Sequence, residues 1–510
     1  MPILHANVIR TVRSHAVRPT QARWPLAALV AILALSPLSR AAADVEVPLI
    51  AAVRATDVDA ARRLIKQGAD VNLAQPDGAT ALHWAAHRNN LDLADLLLRA
   101  GANASAANQL GATPLWLAAV NGSAPMIERL LTAGAKPNVA IESGETPLMT
   151  AARSGNVAAV RLLLAHGADV NAKERFRGQT SLMWAVEQKH AEVARTLVEN
   201  GASVHARSDV WRQLENTAGN ANASGDFEMA HGGSTPLLLA AQTGDVDTAR
   251  VLLDGGANVD DASAAGTSAL VIAAHSGHGV LAQYLLERGA NPNHAGAGYT
   301  ALHAAVIRGE LDLVKTLLAR GADPNAPVLH GTPGRRLGAD YTLRHQMIGA
   351  NAFWLAAQFG EIPILRALVD GGASPFAVPK DGTTSLKAAM GFVRGFTENR
   401  QMRYGVPPMD PLEEERLTLE AAELAVRLGV DVNAADNVGD TPLHDAVRRG
   451  FDSVIAFLAD RGADMNVRNR RKETPLSIAL ASRPELGVAG QDNRGRQSTI
   501  DLLRKLGARD

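Results

Sequence analysis

Gly68-Ala69-Asp70-Val71-Asn72 decides the fold, because variants of this stretch return along the chain at a nearly constant interval. They start at Gly101, Gly134, Gly167 and Gly201, in steps of 33, 33, 33 and 34 residues. They resume at Gly256, Gly289, Gly321, Gly372, Gly429, Gly462 and Gly507, which makes twelve copies. A fixed period of this length means one small supersecondary unit stacked on itself. A chain of 510 residues then needs no division into several globules, since a stack has one elongated core of open length.

Working outward from Gly101 gives the unit. Asp77-Gly78 is a tight turn. Thr80 follows as a helix cap, and in sister copies the next residue is proline: Thr113-Pro114, Thr146-Pro147, Thr235-Pro236, Thr441-Pro442 and Thr474-Pro475. Proline suits the first helical position, where its missing N–H has no partner to lose. The first helix is expected from Ala81, with Leu82, Ala85 and Ala86 as its apolar stripe. Asn89-Asn90 break it. The second is expected over about Leu91–Arg99, with Leu93, Leu96 and Leu97 inward, and Gly101 ends it. Asn103, like Asn72 and Asn171, is placed to brace a turn. One such pair cannot bury its own apolar face, so each pair must lend that surface to the next. Alanine on the first helix and leucine on the second predict a stack that curves, with the first helices lining the concave side.

The pattern Gly-x-Thr-Pro-Leu-His-x-Ala-Ala, then Val-x-x-Leu-Leu-x-x-Gly-Ala-x-x-Asn, resembles the ankyrin repeat. The resemblance covers about residues 45–510 and implies an all-α ankyrin-repeat solenoid of about twelve repeats with four loop insertions. It also implies protein–protein recognition, through the turn tips and the exposed end of the first helix. The first copy lacks the Thr-Pro-Leu entry and begins at Val47-Pro48-Leu49, and the last ends in polar Arg509-Asp510, so both are expected to act as caps.

Residues 1–43 read differently. They hold five arginines and no acid, then an apolar run from Trp24 to Leu35, then Ser39-Arg40-Ala41-Ala42-Ala43. That is the layout of a secretory signal peptide. The run is too short to span a hydrocarbon core of ~30 Å. Cleavage after Ala43 would leave 46 basic and 52 acidic residues, a net charge of −6. An acidic exported chain argues against a nucleic-acid partner and predicts no membrane span once the leader is gone. Retention of the leader as an anchor is the alternative. The absence of cysteine excludes disulfides, thiolate zinc sites, cysteine nucleophiles and lipoprotein acylation. The expected organisation is a signal peptide over 1–43, repeats 1–5 over 44–207, an insert over 208–231, and repeats 6–8 over 232–327. A second insert follows over 328–347, then repeats 9–12 over 348–510, interrupted near 392–415 and 483–495.

The inserts at 208–231 and 328–347 fall in turn loops, so both rim the concave side, three repeats apart. Together they predict a cleft over repeats 6–8. Its candidate contacts are Trp211 and Arg212 from the first insert, and Arg335, Arg336, Tyr341 and Arg344 from the second. Gln242, His275, Ile307 and Arg308 come from the first helices, and Tyr299 from a turn. Arginine, tyrosine and tryptophan dominate interface hot spots. The inserts near 392–415 and 483–495 lie between the two helices of a repeat and leave from the opposite edge.

Signals for catalysis and metal are weak. His83, His303 and His444 share the slot after Thr-x-Leu and read as structural, since Trp116 and Trp354 take the same slot. Trp84 and Trp184 fall one residue later and read as core. His275 and His278 with His231 or His345 would need ligands converging from separate repeats to hold zinc. No His-Glu-x-x-His, Gly-x-Ser-x-Gly or phosphate loop occurs. No cofactor is expected, and the functional expectation is a non-catalytic, exported binding scaffold for a protein partner. The rival readings are a secreted effector acting on another cell's proteins, and a hydrolase or metal enzyme built in the rim inserts.

Overall fold

The structure is a computed structural model, and it describes residues 47–216, 226–331, 343, 345–391, 409–481 and 493–509. The proposed signal segment lies outside these residues. Twelve helix pairs follow one another, from Pro48–Arg54 with Val58–Lys66 to Pro475–Leu480 with Asn493–Lys505. Inner (first) helices pack on inner helices and outer on outer, with the inner row in closer contact at all described junctions but those of repeats 5–6 and 10–11. That is the packing expected from alanine inside and leucine outside.

Repeat 2 shows why the sequence folds so. Its helices run Ala81–His87 and Leu91–Arg99. Leu82, Ala85, Ala86, Leu93 and Leu97 have no exposed surface. Leu96 is only half-buried, and Ala94 takes the inward place assigned to it. At the cap, the Thr80 N–H donates to His83 Nδ1 at 3.0 Å. Nδ1 is then the acceptor nitrogen, so Nε2 carries the hydrogen and donates to the Ala112 carbonyl of repeat 3 at 3.0 Å. His303 and His444 repeat this wiring, onto Ala326 and Glu473. The histidine slot is thus a staple between repeats.

A second staple follows the glycine. Asn72 Nδ2 donates to the Gly101 carbonyl at 3.1 Å, and its Oδ1 accepts from the Asn103 N–H at 2.7 Å. Asn138, Asn171, Asn293, Asn325 and Asn433 do the same across their own junctions. Asn103 instead braces its own turn, accepting from Ser105. Ser105 Oγ makes the bridge to Gly134 and Lys136.

A third connection runs along the rim. Each turn tip donates one backbone N–H to a carbonyl of the preceding tip: Gln109 to Asp77, Glu142 to Leu110, Arg175 to Ser143, Asp209 to Arg177. The row continues through Ala264 to Gly232, Leu329 to Gly298, Lys380 to Ile348, Asn437 to Asp381 and Arg470 to Val438. Between repeats 7 and 8 His294 Nε2 reaches the Gly266 carbonyl instead. Gly266 has φ +79°, and a Cβ there would lie 2.7 Å from the Gly296 carbonyl, so this junction needs glycine.

The 208–231 insert is not a plain loop. Strand β1, Val210–Asn216, pairs antiparallel with strand β2, Asp226–Gly232, in register Val210 to Gly232 and Asn216 to Asp226. Val210 and Trp211 favour a strand at the start of β1. The second insert is closed at its base, where the Val328 N–H donates to the Ala350 carbonyl and the Gly349 N–H donates to the Val328 carbonyl, each at 2.8 Å. The third ends in a long outer helix, Pro411–Arg427, capped by Asp410, so Glu413, Glu414 and Glu415 lie in its first two turns. No helix among the described residues is long and apolar enough to cross a membrane.

Candidate functional site

Near the cap threonines of repeats 4 and 5, Glu145 and Gln179 stand one residue before the cap, Trp184 four after it, and Arg153 and Glu187 seven after it. The Arg153 guanidinium lies 4.8 Å from the Trp184 ring centre. Gln179 Nε2 donates to Glu187 Oε1 at 2.6 Å. Burial pushes the Glu187 carboxyl above its ordinary value, against the pull of Gln179, and burial does the same to Glu145 against Arg153. Trp184 is half-buried and its Nε1 has no partner among the described residues. Trp84, in the same slot of repeat 2, lies under Arg54 at 4.8 Å and donates to Gln75 Oε1 at 2.6 Å. Trp84 packs against the core as expected but is only half-buried, Trp184 is half-buried too, and a planar cation covers each ring.

The tip of repeat 5 precedes the helix Ser181–Glu187 that carries Trp184. The Glu174 carboxylate accepts N–H bonds from Phe176, Arg177 and Gln179 at 2.7, 2.8 and 2.9 Å. The turn is thereby rigid, and it holds out Arg175, Phe176 and Arg177, with Phe176 79 % exposed. Next to it rises the β1–β2 hairpin. Trp211 stacks on His231 at 5.7 Å, and Arg212 pairs with Glu228 at 3.1 Å. Val210 and Leu214, from the same strand, are exposed too. The Asp209–Arg177 backbone bond fastens hairpin to tip.

The predicted cleft over repeats 6–8 fares unevenly. Trp211, Arg212 and Gln242 are exposed as expected. Tyr299 is not available to a partner. It is 8 % exposed against His275, ring centres 6.0 Å apart, and burial pushes its hydroxyl up to about 12. Ile307 is 1 % exposed: seven residues past its cap, an apolar side chain folds into the stack. Arg308 is half-buried, bonded to the His275 carbonyl at 2.9 Å and to Glu310 at 3.3 Å. His275 is half-buried beside it. Arg335, Arg336, Tyr341 and Arg344 lie outside the described residues. His278 Nε2 lies 3.1 Å from the Gln242 carbonyl. No group of three or more His, Asp or Glu among the described residues is placed to hold a metal.

The structure therefore moves the exposed aromatic-cationic surface toward the N-terminal side of the hairpin. Sequence reasoning missed Arg175, Phe176 and Arg177, although a signal was present. The step from Gly167 to Gly201 is one residue longer than its predecessors, and the extra residue enlarges this tip.

A family model described as ankyrin repeats (3 copies) matches residues 49–141, 126–208, 214–295 and 237–328, and a single ankyrin repeat model matches 438–470. An ankyrin repeat protein of fowlpox virus is 25 % identical over 181 residues, which is 36 % of this chain and 74 % of its own length. The mouse B-cell lymphoma 3 protein homolog is 30 % identical over 205 residues, 37 % of this chain and 42 % of that protein. Human palmitoyltransferase ZDHHC13 is 24 % identical over 196 residues, and the match spans 29 % of its length. The crystal structure of the human ASB11 ankyrin repeat domain aligns with 30 % identity, covering 48 % of this chain and 99 % of that one, at a TM-score of 0.39.

Proposed function

The chain belongs to the ankyrin repeat family, and from that premise we propose that it is an exported, non-catalytic scaffold that binds a protein partner over repeats 4–6. One observation carries the reading: Phe176 is held out on a turn fixed by three bonds to Glu174, and the Asp209–Arg177 backbone bond ties that turn to the hairpin carrying the exposed Trp211. A large apolar side chain kept in water by a rigid turn has no folding role. Placed against a partner, it loses little conformational freedom on binding. Trp184 and Arg153 stand on the first helices of repeats 5 and 4. The basic, apolar and small-residue order of residues 1–43 supports export, to a periplasm or the outside. The net charge of −6 that cleavage leaves supports a protein partner over nucleic acid.

The test is a photo-crosslinking residue at position 176 of the full chain, in the cells that make it, with fractionation of the product. The expected result is one captured protein outside the cytoplasm, lost when Trp211 is also replaced by alanine. A probe at Arg195, on the outer helix row, serves as control. Capture at Arg195 and none at 176 would overturn the placement, and a cytoplasmic product would overturn export.

A further inference from the structure

The β1–β2 hairpin is held firmly at its base. Arg207 Nη1 donates to the Gly233 and Ala262 carbonyls, each at 2.8 Å, and its Nη2 donates to Asp261 Oδ1 at 3.1 Å. The Ser208 N–H donates to the Ser234 carbonyl and the Ser234 N–H to Ser208 Oγ, both at 3.0 Å. Beyond this base the sheet is unfinished. Among the described residues it has two strands, and no backbone bond from Val210–Asn216 reaches anything but β2. Two strands alone are marginally stable in water and gain from a third. Edge strands are commonly blunted by proline, lysine or a covering element. β1 contains neither residue, and Val210 to Leu214 are all exposed. β2 is more sheltered, since Met229, Ala230 and His231 are half-buried. The open edge is therefore that of β1.

The neighbour on that side is repeat 5. The Asp209 N–H, one residue before β1, donates not to β2 but to the Arg177 carbonyl at 2.7 Å, while Gly232 of β2 accepts from Ala264 of repeat 7. A strand added to β1 would take up the ladder where the Arg177 bond leaves it. Val210, Arg212 and Leu214 face one side of the ribbon, and Trp211 and Gln213 the other. The first side already carries the Arg212–Glu228 pair. The segment that fits has apolar residues four apart, opposite Val210 and Leu214, with a polar one midway opposite Arg212. A second copy of the chain fits less well. Laying the exposed stretch Val210 to Leu214 antiparallel on itself sets Arg212 against Arg212, and like charges directly opposite are unfavourable.

We propose that the partner binds by strand addition: an extended segment of it pairs along β1, main chain to main chain, as the third strand of this sheet. The proposal rests on the scaffold reading and specifies its mode of contact. The test places a photo-crosslinking residue at 210, 212 or 214 of the full chain, in the cells that make it, and maps each attachment point by mass spectrometry. Expected is the same protein that position 176 captures, with attachment points that move by two residues for every two along β1, always in one direction. Only a strand in register gives that step. A second readout isolates the main chain. Of two neighbouring strand residues, one bonds the paired strand and the other faces out, so Arg212→Pro and Gln213→Pro are both made. One should open the hairpin, seen as faster amide exchange in β2. The other should keep β2 protected yet cut capture at position 176 about tenfold, whereas alanine at that position should not. Scattered or stationary attachment points, capture of the chain itself, or full capture by the proline variant whose hairpin stays intact would each overturn strand addition. If it fails while position 176 still captures a protein, strand addition alone falls; if position 176 captures nothing, the scaffold placement falls with it.

Discussion

In repeat 5 the slot four residues after the cap carries Trp184, and in repeat 11 it carries Asp445. In the first case the slot is half-open, floored by an indole ring and covered by Arg153. In the second it is sealed. Lys387 of repeat 10, standing where other repeats have histidine, pairs with Asp445 and lies 3.3 Å from Asp436. Arg448 donates to Asp445 at 2.8 Å and to Asp440 at 2.9 Å. Asn469 of repeat 12 donates to Asp440 at 2.7 Å. Burial alone would lower the Lys387 ammonium, but Asp445 and Asp436 outweigh it and hold the group above its ordinary value. One scaffold position therefore serves two ends. Where the slot is aromatic, the ring stays half-exposed under an arginine. Where it is ionic, three repeats are locked together beside the third insert. A buried ion pair adds little net stability over apolar packing, yet breaking one is expensive, which favours a lock over a general stabiliser.

The largest expected effect breaks that lock. Asp445→Ala leaves Lys387 and Arg448 buried and short of a carboxylate, and should cost about 3–5 kcal/mol, read by urea denaturation. Trp184→Ala in the equivalent slot should cost about 2 kcal/mol, since its ring is only half-buried. Equal costs would end the comparison.

Titration sharpens it. Burial lowers the His303 imidazole from its ordinary 6.5 to about 4, and lowers those of His83 and His444 as well. The unfolded chain therefore takes up protons below about pH 6.5 that the folded chain refuses, and stability falls as pH drops toward 4. His303 alone should account for about 3 kcal/mol of that loss, and His303→Gln should flatten the slope of stability against pH. Lys387 acts with the opposite sign. Its folded value is raised, so its contribution is complete below the unfolded lysine value of 10.5 and is lost as pH rises through the higher folded one. Repeats 10–12 should loosen first in alkali, which hydrogen exchange by segment would show.

Smaller still, Arg153→Ala removes the cation over Trp184 and should cost about 1 kcal/mol, seen as a change in tryptophan emission. The smallest belongs to the tip. Phe176→Ser should leave the urea midpoint unchanged to within about 0.5 kcal/mol while partner capture is lost.

The solenoid was legible because the glycine period, the cap threonine and the alanine and leucine stripes all state the same geometry. The histidine staples could be read from their shared slot, since a catalytic residue would not alternate with Trp116 and Trp354. The surface was harder. Tyr299 and Ile307 were expected at exposed positions, but apolar mass at these edges can turn inward, and spacing does not say which way it turns. Trp84 and Trp184 were expected in the core and are half-buried, wide rings on the helix flank with an arginine over each. The lock among Lys387, Asp436, Asp440 and Asp445 joins residues up to 58 apart, beyond the reach of one period.

The rim bonds between successive tips have a consequence for how such a chain changes. They are made by main-chain atoms, so they ignore which side chain a tip displays. The hairpin keeps both links, Asp209 to Arg177 and Ala264 to Gly232, although it is far longer than its neighbours. A new tip can thus be fitted, lengthened or exchanged like a blade in a fixed handle, and recognition can drift while the fold need not be solved again.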